Sequence, residues 1–504
     1  MIEYDQTILG EGVSFTTDTS LTQINNNVLV VGGTGSGKTC SIIEPLLLHC
    51  HNSNLIVSVS KKVLVEKYTP IFKARGYKVL HINTANPLNS TSFFNPLLYI
   101  KDYGDIISLS QKITEMDEKR SHAHADPFWG NAASALLNAL IALYLSNSQK
   151  RNKIPNFADV LTMFDEMEYS AYDDGMVTYS SLDSEFEGFS DGLVKSWWRS
   201  FRELPIRTAS CIFSELSLLL TRYFNGAMRE AFRQQEKYKP IDILQIAKEK
   251  TVVFLSTSAV DTTTHAFANL FIGTAIKELF EFAEQQPNGK LPIPFRLVCD
   301  DFAVSAKIER FDQMVSIFRE KEMSSLICLQ SESQLENLYG KAQATTIVNN
   351  ADTYIFMGGN DLLTARNISE RANIPFEDAL NMPLGMEWIF RRGCKPIYTK
   401  RYDILSDKAY QDSTSAYKAS IQKAEKKPLQ KPRFNFLTGR YDENIENETC
   451  SNGEYNNDKS IAPDVEEVFE DCCLDDVEYY GCDIEEDDCS DSISILRKIF
   501  QTQD

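Results

Sequence analysis

The chain has 504 residues, of which 43% are hydrophobic, and this length suits two or three globular domains. Its formal net charge of −20 is concentrated in residues 441–504, which carry 21 acids and 3 bases. The rest of the chain is nearly neutral; such a core can still hold a basic channel, but composition alone does not show one. No apolar run reaches the roughly 18 residues that span a bilayer, and the acidic N-terminus excludes a signal peptide, so we expect no transmembrane segment and a cytoplasmic protein.

Strands and helices alternate in the first hundred residues. Apolar runs at 28–31, 55–59 and 78–82 are typical of buried parallel strands, and the stretches between them, such as 63–74, have helical character. This pattern predicts an α/β fold with a parallel sheet covered by helices, whose first part occupies residues 1–102.

A complete phosphate-binding loop, Gly-Gly-Thr-Gly-Ser-Gly-Lys-Thr, lies between the first strand and a helix. Its glycines let consecutive backbone N–H groups turn toward a phosphate, and the helix N-terminus adds partial positive charge. The lysine is expected to reach the β- and γ-phosphates of ATP, and the final hydroxyl to ligate Mg²⁺. The predicted nucleotide-binding residues are Gly33, Thr34, Gly35, Ser36, Gly37, Lys38 and Thr39.

Amphipathic helices dominate residues 103–248, where strand signals fade. Strands then return in residues 249–423, so the sequence predicts an all-α domain inserted into the α/β core. The predicted helices include a long one from Asp126 and others at 157–167, 182–189, 194–202 and 210–223, and the later strands are at 251–256, 295–299, 325–329 and 353–357.

Residues 424–504 begin with a basic, proline-containing linker and continue as an acidic tail. Low apolar content and high charge predict disorder there. Residues 490–500 form a short amphipathic segment, which is either a frayed helix without a role or a docking peptide.

Acidic residues follow the strand at 295–299, where a P-loop ATPase holds its magnesium shell. Asp300 is the candidate for that position, and Asp301 stands where such enzymes often carry a glutamate that orients the attacking water. Gln330 ends the next strand and is a candidate γ-phosphate sensor or a strand-terminal hydrogen-bonding residue. Arg319, on a predicted helix, is either an arginine finger that reaches the nucleotide of a neighbouring subunit or a solvated arginine on the helix surface.

These motifs together resemble the conjugative type IV coupling proteins of the TraG/TraD kind, within the FtsK-like hexameric ATPases. The resemblance extends over most of the first 400 residues. It rests on the P-loop with its flanks, Asn25-Asn26-Asn27 and Pro45, and on Tyr77-Lys78-Val79, Phe94-Asn95-Pro96-Leu97, Asp126-Pro127-Phe128-Trp129, Asp300-Asp301-Phe302-Ala303, Leu329-Gln330-Ser331-Glu332-Ser333-Gln334-Leu335 and Gly358-Gly359-Asn360-Asp361.

The resemblance implies a RecA-like nucleotide-binding domain and a ring, usually a homo-hexamer, that binds DNA and pumps it toward a secretion channel with ATP. It implies that the helical insertion helps to recognise the relaxase–DNA complex, or relaxosome, and that the ring works with type IV secretion channel proteins at the inner face of the membrane. By position, Arg319 matches the family's trans-acting arginine and Gln330 its sensor glutamine.

Three features depart from the family pattern. The first strand begins near residue 27, which leaves no N-terminal membrane anchor, so we expect a separate anchor protein, a soluble branch or a truncated start. The family's Asp-Pro-Lys-Gly-Glu turn is replaced here by Val59-Ser60-Lys61-Lys62-Val63, and Asp301 replaces the usual glutamate. Two alternatives to the coupling motor therefore stay open: a docking adaptor with weak ATPase activity, and another FtsK-like DNA motor.

Overall fold

The computed structural model describes residues 4–116, 127–167, 169–171, 177–234, 239–261, 263–303, 307–423, 434–435 and 440–441. Asp126 and almost all of residues 424–504 lie outside these ranges, so the predictions for the basic linker, the acidic tail and its terminal segment fall outside the described residues.

Fifteen strands occur in the described part of the chain. In chain order they are β1 (Gln6–Gly10), β2 (Val13–Thr16), β3 (Val28–Val31), β4 (Asn54–Val59), β5 (Lys78–Asn83), β6 (Tyr169–Ala171), β7 (Val177–Ser180), β8 (Thr251–Ser256), β9 (Phe295–Cys299), β10 (Met323–Leu329), β11 (Thr353–Phe356), β12 (Met386–Arg391), β13 (Ile397–Lys400), β14 (Phe434–Asn435) and β15 (Arg440–Tyr441).

Helices occupy much of the remaining described chain. In chain order the α-helices are α1 (Thr19–Thr22), α2 (Glu44–His49), α3 (Lys62–Ala74), α4 (Tyr103–Thr114), α5 (Pro127–Lys150), α6 (Phe157–Asp165), α7 (Asp183–Glu187), α8 (Gly192–Arg202), α9 (Ile206–Tyr223), α10 (Gly226–Arg233), α11 (Ile243–Lys248), α12 (Thr263–Glu284), α13 (Phe311–Ile317), α14 (Glu332–Tyr339), α15 (Lys341–Asn349), α16 (Leu362–Ala372), α17 (Phe376–Leu380) and α18 (Lys408–Lys423).

The central sheet contains seven parallel strands in the order β11-β3-β10-β9-β4-β8-β5. Strand β3 is apolar and buried along its whole length because helices cover both faces of the sheet. The predicted α/β fold with a parallel sheet is confirmed, and the seven predicted strands are present with ends within two residues of those expected.

Two antiparallel strands that the sequence did not predict extend the sheet beyond β11. These are β12 and β13, and a second unpredicted hairpin is formed by β1 and β2. Strand β12 contains buried and half-buried residues, and its neighbour β13 alternates between half-buried and exposed residues. Such edge strands carry a weaker hydrophobic signal than the buried parallel ones, which explains the omission.

The predicted insertion, residues 103–248, lies in the chain between the neighbouring strands β5 and β8. The regular structure in its described part is helical apart from the short antiparallel pair β6 and β7. Its long helix α5 is apolar enough by length and composition to cross a membrane, with a mean hydropathy of 1.4. It packs against α4 and α8, and 56% of its most apolar stretch is buried, as expected of a core helix.

Aromatic side chains join the insertion to the α/β core. Phe93 and Phe267 from the core pack against Phe232 of the insertion, with ring centroids 4.8 and 5.9 Å apart. Phe232 in turn contacts Phe157 and Phe224. The predicted domain boundaries at residues 102, 248 and 423 stay predictions.

Candidate active site

The P-loop connects the buried strand β3 to a helix at the carboxyl edge of the parallel sheet. Gly35 and Gly37 have φ values of +73° and +78°, which residues with a Cβ rarely adopt. The following helix begins with a π-helical turn at Thr39–Ile43 and continues as α2. The glycine spacing therefore supplies the tight turn that brings a helix N-terminus to the sheet edge.

Lys38 lies inside the curve of the loop. Its Nζ donates hydrogen bonds to the carbonyl oxygens of Gly32 at 2.7 Å and Gly33 at 2.9 Å. Burial lowers the pKa of Lys38, and the nearby acidic groups Asp300 and Asp301 oppose that change. The ammonium group is thus aimed at the space that the loop encloses.

The Thr39 hydroxyl meets the carboxylate that follows strand β9. Its Oγ1 lies 3.1 Å from both Oδ1 and Oδ2 of Asp300. Asp300 is only 4% exposed, and its backbone N–H donates to the Ser58 carbonyl. Burial raises the pKa of Asp300 to about 6, and the charge of Asp301 adds to the rise. The structure therefore brings two of the predicted site residues into direct contact.

Asp301 is exposed beside this pair. The Ser60 hydroxyl donates to its Oδ2 at 3.2 Å. Ser60 follows β4, which is hydrogen-bonded to β9, so the turn after one strand reaches the acid after the next. The positive charge of Lys61 in the same turn opposes the rise in the pKa of Asp300. Ser60 and Lys61 were missed as site residues, although they follow a strand end at the same edge of the sheet.

Gln330 follows β10, the strand beside β3, and its side chain is exposed at the P-loop edge. Its backbone N–H donates to Oε1 of Gln334 at 3.1 Å. The preceding residue, Leu329, accepts a hydrogen bond from the Gly32 N–H at 3.1 Å. The residue immediately before Gln330 therefore contacts the P-loop through its backbone.

Arg319 lies at the opposite edge of the sheet. It belongs to a 3₁₀ turn, Phe318–Lys321, that precedes the amino end of β10, whereas the P-loop follows the carboxyl end of the parallel strand β3. Its exposed side chain lines an open surface pocket together with Gln23 and Lys290. The structure therefore does not bring Arg319 together with the other site residues of the same chain.

A magnesium–nucleotide complex suits the residues at the P-loop edge. Within the ranges that the structure describes, no group of three or more His, Cys, Asp and Glu side chains could hold a metal. The two oxygen groups in direct contact there are the Thr39 hydroxyl and the Asp300 carboxylate, both hard ligands. Mg²⁺ favours such a sparse set because it keeps several waters and takes phosphate oxygens as ligands.

The comparison with protein families matches residues 4–373 to the family described as type IV secretory system, conjugative DNA transfer. No curated protein sequence matches the chain.

Among solved structures, the chain is similar to the plasmid coupling protein TrwB in complex with ADP and Mg²⁺, with a TM-score of 0.55, 13% identity, and coverage of 79% of this chain and 88% of that one. It is also similar to TrwB in complex with a non-hydrolysable ATP analogue, with a TM-score of 0.51, 14% identity, and coverage of 75% and 85%. At this identity the likeness shows the shared fold.

Proposed function

Because the chain belongs to the family of conjugative DNA transfer proteins of type IV secretory systems, we propose that it is an ATPase that translocates DNA and couples a relaxase–DNA complex to the transfer channel. The observation that carries this proposal is the contact between Thr39 and Asp300 beside a complete P-loop. A generic glycine-rich turn would not need a buried carboxylate at that position.

The site residues have separate roles in this proposal. Lys38 binds the β- and γ-phosphates of ATP, and Thr39 with Asp300 holds the metal and its water shell. When bound, Mg²⁺ neutralises charge on the phosphoryl oxygens. Asp301, held by Ser60, orients the attacking water. The TrwB complexes with ADP and Mg²⁺ and with an ATP analogue support ATP and Mg²⁺ as the cofactors.

Gln330 senses the γ-phosphate from the strand next to the P-loop. Arg319 completes the site of an adjacent subunit in a homo-hexameric ring, and its position at the far edge of the sheet supports a role in trans rather than in cis. The ring binds DNA, and the helical insertion contacts the relaxosome. In this proposal the ring works with type IV secretion channel proteins at the inner face of the membrane.

DNA-stimulated ATP hydrolysis tests the enzymatic part of the proposal. The purified protein assembled on DNA should hydrolyse ATP, and Lys38→Ala should abolish that activity because it removes the cation that binds the phosphates. Wild-type protein that hydrolyses no ATP on any DNA would contradict the proposal.

A docking adaptor with weak ATPase activity is the second candidate, since Asp301 reaches one methylene less far than the glutamate it replaces. Asp301→Glu separates the two. Faster hydrolysis with unchanged DNA transfer would favour the adaptor, whereas transfer that rises with hydrolysis would favour the motor. Loss of transfer with normal cell growth in a deletion strain would distinguish the coupling protein from another FtsK-like DNA motor.

A further inference from the structure

The first two glycines of the P-loop are hydrogen-bonded to the loops on either side of it. The Gly32 N–H donates to the Leu329 carbonyl at 3.1 Å, and the Gly33 N–H donates to the Gly358 carbonyl at 2.8 Å. Leu329 ends β10 and Gly358 follows β11, the two strands that flank β3. The entrance of the nucleotide loop is therefore fixed from both sides.

Hydrogen bonds connect the starts of the helices that follow these two strands, α14 and α16. Ser333 Oγ donates to Asp361 Oδ1 at 2.8 Å, and the Glu332 N–H donates to Thr364 Oγ1 at 3.0 Å. The second oxygen of Asp361 accepts from the Thr364 N–H at 2.9 Å and from its hydroxyl at 2.6 Å, which caps helix α16. We call Ser333, Asp361 and Thr364 the Asp361 bridge.

The buried carboxylate of Glu332, at the start of α14, accepts further hydrogen bonds beside the bridge. Glu332 is 7% exposed and Thr364 is 2% exposed. Tyr354, on β11 itself, donates from its hydroxyl to Glu332 Oε1 at 2.7 Å, and the Asn367 amide donates to the other carboxylate oxygen. Buried hydrogen bonds of this kind are costly to break because the groups would be left without partners. The start of α14 is therefore held to α16 and β11 by buried and half-buried hydrogen bonds.

Gln330 sits at the start of the helix that the bridge holds. Its N–H is bonded to the Gln334 side chain, and the Ser331 hydroxyl accepts from the Gln334 N–H at 3.2 Å. The backbone of Gln330 is thus tied to the first turn of α14, and Ser333 in that turn is hydrogen-bonded to Asp361.

We propose that Asp361 and Ser333 are positioning residues that, by fixing the start of α14, hold the Gln330 backbone, and with it the side chain, in place beside the P-loop. The inference rests on the proposed function because the sensor role of Gln330 is part of it. Loss of the bridge leaves the P-loop intact for binding and allows the helix start to shift, so it slows hydrolysis more than it weakens nucleotide binding.

DNA-stimulated hydrolysis of Mg-ATP by the full chain tests this. Asp361→Asn and Ser333→Ala should each lower kcat by about tenfold, with KM and the affinity for fluorescent ADP within about twofold of wild type. In a Gln330→Ala background the same changes should add less than about twofold, since residues that act through one another are not additive. Ser333→Thr, which keeps the hydroxyl, should restore most of the rate.

Asp242→Asn is the matched control. Asp242 is exposed, caps helix α11 through the Leu244 N–H, and lies in the chain before β8, away from the nucleotide edge. Its kcat should equal that of wild type. Ser333→Ala leaves the capping bonds of Asp361 to Thr364 in place, so it reports on the bridge even if Asp361→Asn folds poorly.

The outcomes separate this inference from the proposed function. Wild-type protein without ATPase activity would overturn both. An active wild type with equally active Ser333→Ala and Asp361→Asn variants would overturn the inference alone. The inference would also be overturned if the Ser333 and Asp361 substitutions lowered the rate by the same factor in wild type and in the Gln330→Ala background. In that case Ser333 and Asp361 would act independently of Gln330.

Discussion

The Thr39 hydroxyl lies 3.1 Å from both carboxylate oxygens of Asp300, although 261 positions separate the two residues in the chain. The contact exists because β3 and β9 are parallel strands of one sheet with only β10 between them, so the residues after their carboxyl ends reach the same edge. The helical insertion accounts for much of the separation between Thr39 and Asp300 in the sequence. It does not interrupt this edge of the sheet.

Removal of either member of this pair should reduce the magnesium dependence of nucleotide binding. We expect Thr39→Ala and Asp300→Asn to lower ADP affinity in Mg²⁺ about tenfold, toward the value measured in EDTA, since second-shell and ligand changes commonly cost that much. Titration of fluorescent ADP with and without Mg²⁺ measures this. Thr39→Ser keeps the hydroxyl and should behave as wild type; an unaltered response to Mg²⁺ in both loss variants would contradict the assignment.

Arg319 should act on the nucleotide of a neighbouring subunit. Arg319→Ala should bind ADP normally and lose about 10³-fold in hydrolysis, the usual scale for an arginine finger. Mixing Arg319→Ala with Lys38→Ala before assembly on DNA should recover about a quarter of the wild-type rate, because only interfaces with one subunit of each kind in the right order are complete. Mixed rings as inactive as either variant alone would count against a role in trans.

Gly32 should tolerate no side chain. A Cβ at this position would lie 2.5 Å from Ser36 Oγ and 3.0 Å from Met357 Cβ, and Ser36 is buried within the loop. Overpacking of this kind costs about 1–3 kcal/mol, so Gly32→Ala should weaken ADP binding about tenfold or more. Gly130→Ala, where a Cβ would have no neighbour within 4 Å, is the control. Equal ADP affinity for both variants would refute the packing argument.

Glu387 should make the protein less stable as pH rises. It is 0% exposed on β12, packs beside Gly10, and neither carboxylate oxygen has a hydrogen-bond partner in the described part of the chain. Burial raises its pKa from 4.5 to about 8, against the opposing charge of Arg401. The folded state therefore favours the neutral acid, and the unfolded chain releases its proton first as pH rises.

It follows that wild type should lose up to about 1.4 kcal/mol per pH unit relative to Glu387→Gln between these two pKa values. Urea unfolding at pH 5, 6, 7 and 8 measures the difference, which should widen with pH in favour of the glutamine variant. Stabilities that stay parallel across this range would show that Glu387 is not held as the neutral acid.

The parallel core was predictable because its seven strands contain mainly apolar runs, such as Val28–Val31, between helical segments. The edge strands Met386–Arg391 and Ile397–Lys400 were not, since half-exposed strands carry a weaker pattern and their pairing is set by distant residues. The short strands Tyr169–Ala171 and Val177–Ser180 in the insertion were not predicted either, because they are only three and four residues long.

The candidate site also contains residues that the sequence could predict and contacts that it could not. Lys38, Thr39 and Asp300 could be predicted because local motifs fix them, and the structure brings them to one edge of the sheet. Two contacts depend on which strands are neighbours in the sheet: Ser60 with Asp301, and Ser333 with Asp361. No single segment of the sequence specifies the order of the strands, so these contacts could not be predicted.

Movement of this protein along DNA, driven by ATP hydrolysis, is measured by displacement of streptavidin from end-biotinylated DNA, single- and double-stranded, with the biotin at either end. Wild-type protein with ATP should displace streptavidin from at least one of these substrates, while Lys38→Ala, or wild type with a non-hydrolysable ATP analogue, should not. Vigorous DNA-stimulated hydrolysis without displacement from any of the substrates would contradict ATP-driven translocation.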